Sequence, residues 1–410
     1  MIKNLIKLYG SNKDRNYILL TQIINTIIGL VSGKLIALNI SPLDFGFYNI
    51  QFATYSLVST LLLSPFIQFI KSTNNSLLPR IGSKFYIYTF LSLFVISYGL
   101  LVGVLYLFYN IEDYILYFIL FLFAFLASMY NVVGDFFTVK SKLIVFSKYS
   151  VFKTVFSLLF FVVIIYFGIN WFTSVELLWG VQLFGIIISL MFFCKHYKFF
   201  KSKLEIAYST FFKRYIAFSL PLMFLAFWSW INNFFDRYAL EYLLDLNDVG
   251  VYNANYGIGS KFFLMLSPIF LILITPQIYA LVSKDVKKKV ILKYGKYYCF
   301  LGAFVLLIIY LLKDYIGDLL LAKPYEEGFF LIFWVALSFF ILTLTHLFES
   351  VFYAENKTKI ILYSNIFSAI VNIVTNIVLI PFYGILGAAI ASVIGFGLQF
   401  LIIYYNFKRL

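Results

Sequence analysis

The sequence has 410 residues, of which 62% are hydrophobic, 22% aromatic and only 12% charged, with a formal net charge of +14. So few charges cannot cover a water-facing surface, where roughly a quarter of residues are charged, so a soluble domain is excluded and lipid is the expected solvent. The basic residues are dispersed along the chain rather than gathered on one face, which argues against a nucleic-acid partner.

In chain order, Met1 to Arg15 comes first. Ile2, Leu5, Ile6 and Tyr9 alternate there with Lys3, Lys7 and Lys13. This is the pattern of an interfacial amphipathic helix, or simply of a basic tail, and is too polar for a cleavable leader. Apolar runs of about 20 residues, the length that crosses a hydrocarbon core about 30 Å thick, then recur to the end. They predict helices at about 16–39, 47–70, 86–109, 114–138, 150–168 and 174–194, then at about 215–243, 251–282, 297–321, 329–354, 359–380 and 384–406. The fold class is therefore all-α integral membrane, with about 12 transmembrane helices.

Alternate connections hold 27 of the 32 basic residues, among them Lys140, Lys142, Lys148 and Lys153 between the fourth and fifth helices. The opposite connections hold Lys313 and Lys323 and eleven of the 18 acids. Positive residues stay on the cytoplasmic side, so both termini are expected there, with multi-pass residence in a bacterial inner membrane. Trp171 and Trp179 fall at a predicted outer boundary, where an aromatic belt is expected. Cys194, Cys299, His196 and His346 have neither disulfide nor metal-ligand spacing, so no metal and no cofactor is expected.

The chain repeats itself. Asp44-Phe-Gly-Phe-Tyr-Asn49 recurs as Asp248-Val-Gly-Val-Tyr-Asn253, Leu63-Ser-Pro65 as Leu266-Ser-Pro268, and Lys140-Ser-Lys-Leu-Ile144 as Lys357-Thr-Lys-Ile-Ile361. Each pair links helix n to helix n+6. Because six is even, the halves are parallel repeats related by an axis along the membrane normal, an arrangement transporters use to set a site between two lobes. The predicted domains are an N-terminal six-helix lobe at 1–195, a basic cytoplasmic linker at 196–214 and a C-terminal six-helix lobe at 215–410. Gly46 and Gly250 are expected to free the backbone in tight outer turns. Pro65 and Pro268 are expected to kink their helices.

Several stretches resemble the polysaccharide exporter branch of the multidrug/oligosaccharidyl-lipid/polysaccharide (MOP) superfamily, the Wzx-type flippases. They are Ser41-Pro-Leu-Asp-Phe-Gly-Phe-Tyr48, Ser219-Leu-Pro221, Asp236-Arg237, Thr275-Pro-Gln-Ile-Tyr279 and Ile380-Pro-Phe-Tyr-Gly-Ile-Leu-Gly-Ala-Ala-Ile-Ala-Ser392. The resemblance implies two pseudo-symmetric lobes around a central cavity and alternating access. It also implies an undecaprenyl-pyrophosphate-linked oligosaccharide as cargo, moved from the cytoplasmic to the outer leaflet for surface polysaccharide of O-antigen or capsule type. A polysaccharide polymerase and a chain-length protein are the implied partners, with membrane lipids. A cation-coupled multidrug exporter of the same superfamily has the same helix count. A membrane polymerase would need a larger outer loop than any present here, and the reading is of a transporter, not an enzyme.

Once the charges counted with the connections are subtracted, six remain within the spans: Lys34, Asp135, Asp236, Arg237, Lys261 and Glu349. Each costs about 2.5 kcal/mol or more in lipid, so each should face a partner or a wet path. Lys34, Arg237 and Lys261 read either as a cationic site for a pyrophosphate or as partners of Asp236 and Glu349. Adjacency alone does not pair Asp236 with Arg237, since neighbours on a helix point about 100° apart. Polar stripes that include Asn25 on the first helix and Asn233 on the seventh line a path for sugar hydroxyls or bond neighbouring helices; the stripe on the eleventh is mostly packing. Trp228 and Trp230 could stack on sugar rings, though packing is the commoner use. His346 and Glu349, three residues apart on one helix face, could couple transport to an ion gradient or sit as a packed polar pair.

Overall fold

Long apolar stretches rich in Leu, Ile and Phe satisfy their own backbone in a medium without water only by forming helices. The computed structural model describes residues 12–73, 83–139, 142–168, 173–193 and 208–410. Most of the predicted amphipathic segment at 1–15, and most of the linker at 196–214, lie outside those residues, as does Trp171. Among the described residues twelve helices are long and apolar enough to cross a membrane.

Helix α1 is Asn12–Asn39; α2 runs from Pro42–Val58 through a π-helical turn, Ser59–Leu63, into Ser64–Thr73. Then come α3 (Ser83–Tyr109), α4 (Tyr114–Val139), α5 (Leu143–Tyr166), α6 (Ser174–Phe193), α7 (Tyr208–Leu243) and α8 (Leu246–Ala280). The chain finishes with α9 (Lys284–Leu320), a 3-10 turn at Lys323–Gly328, α10 (Leu331–Ala354), α11 (Thr358–Tyr383) and α12 (Ile385–Lys408). The all-α, twelve-helix reading holds. Five starts lie five or more residues earlier than expected: α2 begins at Pro42, α5 at Leu143, α7 at Tyr208, α8 at Leu246 and α9 at Lys284.

By packing, the described residues form two compact units, one made of Met1–Asn49 and Ile231–Leu410, the other of Ile50–Trp230. In the first, α10 lies against α8 and α12, α11 against α12, and α1 against α8 and α9. Gly384 turns the chain from α11 into α12 at φ +56, a conformation that favours glycine. Gly387 then lets α12 start close to Leu379, whose oxygen would stand 2.5 Å from an added Cβ. At α9's opposite end Lys287 bonds Glu355 at 2.5 Å, and this hydrogen bond holds the Glu355 carboxyl below the usual carboxylate range.

The unit Ile50–Trp230 is cored by aromatic rings. Phe66, Phe69, Tyr86, Phe90, Phe94, Phe211 and Tyr215 form one buried cluster. Trp179 is fully buried, donates Nε1–H to Gln51 at 2.8 Å and meets Phe123 edge to face. It packs in the interior rather than in an aromatic belt, because nearness to a span's end says nothing of which way a side chain faces. The π-helical turn stands directly before Ser64-Pro65, where proline removes a backbone donor, whereas α8 passes Pro268 as an unbroken α-helix.

Gly46 and Gly250 are not in turns. Both lie in the first two turns of their helices, α2 and α8, and each is the contact point of the other's helix. A Cβ on Gly46 would stand 1.9 Å from the Leu246 oxygen, and one on Gly250 1.8 Å from the Pro42 oxygen. The repeated glycine thus permits backbone-to-backbone packing, the small-residue device of membrane helices. We expect Gly46→Ala and Gly250→Ala each to lower the melting temperature in detergent, at a cost of about 1–3 kcal/mol for overpacking. Because both press on one joint, the double variant should lose less than the sum. An unchanged melting curve for Gly46→Ala would count against this packing.

Candidate functional site

Helices α1 and α8 carry their small and polar residues on facing sides. Gly29, Ser32 and Gly33 of α1, with Asn253, Ala254, Gly257 and Lys261 of α8, wall a cavity of about 200 Å³ closed by Leu320, Leu321 and Tyr325. Its walls are mainly apolar, with Ser32, Asn253, Lys261 and Tyr325 as the polar side chains. Tyr325 closes it by donating its hydroxyl to the Ile40 oxygen at 2.9 Å.

Lys261 supplies the cavity's charge. Its Nζ donates to the Gly29 oxygen at 3.0 Å, an approach that the missing Cβ allows, since an added one would lie 3.7 Å from Nζ. An ammonium has three donors, and this contact uses one. No Asp or Glu lines the cavity, and no carboxylate pairs with Lys261 among the described residues. Lys261 thus brings an ammonium with unused donors to a mainly apolar cavity on a membrane-spanning helix.

Lys34 borders the same place from above. Its Nζ donates to the Asp318 oxygen at 2.9 Å and to the Leu321 oxygen, and Leu321 is also a wall of the cavity. Those are the last carbonyls of α9, where a cation complements the helix dipole. Lys34 therefore fastens the end of α9 to α1 beside Lys261. Asn25 is one helical turn from Gly29 along α1.

Arg237 and Asp236 lie elsewhere in α7 and neutralise each other. Arg237 Nη1 reaches Asp236 Oδ1 at 3.0 Å and the Asn233 oxygen at 2.6 Å. Asp236 accepts also from the Arg237 backbone N–H at 2.9 Å and from the Tyr252 hydroxyl at 2.7 Å. The guanidinium lies over the Phe234 and Tyr256 rings, at 4.8 and 5.1 Å, and both charged residues are buried. Neighbouring side chains do pair here, because Tyr252 and two rings hold them in place. Arg237 Nε is buried with no partner among the described residues.

Glu349 of α10 is buried, accepts from Gln399 Nε2 of α12 at 3.3 Å, and has no cation beside it among the described residues. His346 is one turn away. Between α7, α11 and α12, Asn232 donates to the Asn365 oxygen, and Ser368 donates to Asn232 Oδ1 and to the Gly395 oxygen, which accounts for much of the α11 stripe as packing. Trp230 donates to the Ala53 oxygen, so its indole N–H serves the fold.

The sequence reading counts Lys153 with the basic connection before the fifth helix, although the predicted helix at about 150–168 already contains it. With α5 starting at Leu143 it lies well inside the span Ile144–Tyr166, its ammonium 5.1 Å from the centroid of the Tyr130 ring on α4. The signal was present in Leu143-Ile-Val-Phe146, an apolar run that continues the helix backwards past two lysines.

Set against known structures, this arrangement of helices is one that solved membrane transporters also have. The chain is similar to a lipid II flippase MurJ in an inward closed conformation, with 16% identity and a TM-score of 0.72 over 97% of this chain and 88% of that one. It is similar to an inward-facing multidrug resistance MATE family transporter of the MOP superfamily, with 12% identity and a TM-score of 0.69 over 95% of each. A MOP superfamily transporter from Pyrococcus furiosus, described for the reverse polarity of its binding pocket, matches at 14% identity and TM-score 0.64 over 98% of each. More narrowly, residues 322–410 match the model of the lipid II flippase MurJ family. No curated protein matches in sequence at a significant level. The fold is thus the one shared by MurJ and the MATE transporters.

Proposed function

We propose that this chain is a flippase that carries an undecaprenyl-pyrophosphate-linked oligosaccharide from the cytoplasmic to the outer leaflet of a bacterial inner membrane. The observation that carries this reading is Lys261: a membrane-depth ammonium in a cavity without a carboxylate, fitted to an anionic headgroup. The shared fold, the flippase-family match in 322–410 and the polysaccharide-exporter motifs all support it. The six-helix halves 1–195 and 215–410, joined by the basic segment 196–214, act in it as the lobes that move, with both termini cytoplasmic. A polymerase and a chain-length protein receive the cargo.

Lys261 takes the phosphate charge, with Lys34 fixing the cavity roof beside it. Asn25 and Asn233 offer amide groups to sugar hydroxyls, and the Asp236–Arg237 pair holds α7 to α8. Glu349 and His346 couple movement to an ion gradient: a buried carboxyl facing only an amide changes its charge most easily by taking up a cation or proton. That same carboxyl favours, as a second reading, a cation-coupled drug exporter.

Deletion separates the two. For the flippase, undecaprenyl-linked repeat units accumulate on the cytoplasmic leaflet and surface polysaccharide is lost, both restored by the intact gene. Normal polysaccharide in a strain without a second exporter, together with new sensitivity to cationic drugs, would favour the exporter.

A further inference from the structure

We propose that Lys153 is the centre of a second anion-binding site, built within the unit Ile50–Trp230 by α4 and α5 and taking a phosphate group. Lys153 is about ten residues into the 23-residue span of α5, close to mid-membrane. The exposed residues of that helix, Ile144, Lys148, Leu159, Val162, Val163 and Tyr166, share one side. Five residues on from Lys148, Lys153 points about 140° from that side, away from lipid. On α4 the exposed apolar residues Tyr114, Ile115, Phe118 and Phe121 likewise define a lipid side, yet Asn131 is exposed about 130° round from it. On α4, next to Tyr130, one polar residue is therefore accessible on the surface away from lipid.

Three polar groups meet beside that surface. The Lys153 ammonium is over the Tyr130 ring, and the Tyr130 hydroxyl is hydrogen-bonded to Ser150, one turn before Lys153 on the same face of α5. Tyr130 is itself held by Tyr149, stacked at 4.2 Å and donating to the Tyr130 oxygen at 3.0 Å. Gly185 lets α6 press on this segment, since an added Cβ would stand 2.4 Å from the Lys153 oxygen.

No carboxylate answers the charge. Asp135 is paired with Lys71 at 3.0 Å, Glu176 accepts from the Thr173 N–H at the start of α6, and Lys153 has no ion pair among the described residues. A cation–π contact returns about 0.5–2 kcal/mol, whereas a lysine at mid-membrane costs about 2.5–3.5 kcal/mol or more. The ring alone does not offset the charge. An anion held by the ammonium, with at most one hydroxyl of the Tyr130–Ser150 pair as a further donor, does.

As the headgroup site of a lipid-linked cargo, this proposal rests on the flippase reading, but its first test does not. In detergent-purified protein, acetylation of individual lysines by acetic anhydride is followed by mass spectrometry with and without inorganic pyrophosphate. Pyrophosphate is expected to slow labelling of Lys153 at least fivefold while leaving the exposed Lys293 unchanged. Equal slowing of both, or labelling of Lys153 that pyrophosphate does not alter, overturns the site. In proteoliposomes Lys153→Met is expected to lower flipping at least tenfold and Lys153→Arg to keep most of it; wild-type flipping by Lys153→Met overturns the cargo role. A wild-type protein that protects Lys153 yet moves no lipid-linked oligosaccharide keeps the anion site and removes the flippase reading.

Discussion

Replacing Lys261 by Met should reduce flipping by one to two orders of magnitude without changing how much protein reaches the membrane. Met keeps an unbranched apolar stem of similar reach and deletes only the charge. Charge-assisted hydrogen bonds are each worth about 1.5–3 kcal/mol, and a factor of ten is about 1.4 kcal/mol, so losing one such contact with a phosphate gives roughly a ten- to hundredfold effect. Lys261 also ties α8 to α1 through the Gly29 oxygen at 3.0 Å, and a purely architectural lysine would show a different pattern. Lys261→Gln distinguishes the two, because its amide can still donate to a carbonyl but carries no charge. If the tie alone matters, Gln restores both melting temperature and flipping. If the charge matters, Gln restores the melting temperature and leaves flipping low. Flipping at the wild-type rate by Lys261→Met would end the anion-site account of this cavity.

What the sequence could say about this site follows from the range of its forces. Spans were legible because hydrophobicity is summed over about 20 residues, and a sum survives local noise. Ends were not, because α9 continues through Lys284-Asp-Val-Lys-Lys-Lys289 as a helix extending into polar surroundings, and lysine does not oppose helix formation. The same error left Lys153 at the edge of its predicted helix and counted with the basic connection. Gly46 and Gly250 were identified as special, but a glycine that turns a chain and one that admits a neighbouring helix look alike in one dimension. Lys261 was flagged by its cost in lipid. Its acceptor, 232 residues away on α1, belongs to tertiary packing and leaves no local trace. Asp236 and Arg237 were visible as charges, while Tyr252, whose hydroxyl completes the Asp236 shell, was noticed only as part of a repeat.

That shell makes the second large prediction, that Arg237→Ala fails by misfolding rather than by losing cargo. Removing one member of a buried ion pair leaves an uncompensated charge, and the cost is about 3–5 kcal/mol, a large part of the stability of most domains. Asp236 would keep its bond from Tyr252 but lose the guanidinium, with both rings left over a void. The measured result should be a steep fall in membrane abundance and in detergent melting temperature. Removing both charges together behaves differently, since well-packed apolar residues often replace a buried pair at no net cost. Asp236→Leu with Arg237→Met should therefore recover most of the abundance that Arg237→Ala loses. The orphaned Arg237 Nε adds to the expectation, because the double variant also removes a buried donor that has no partner among the described residues. If Arg237→Ala instead accumulates normally and melts at the wild-type temperature, the pair is not holding α7 to α8. A flipping defect in such a variant would then place the guanidinium on the path of the cargo, next in importance to Lys261.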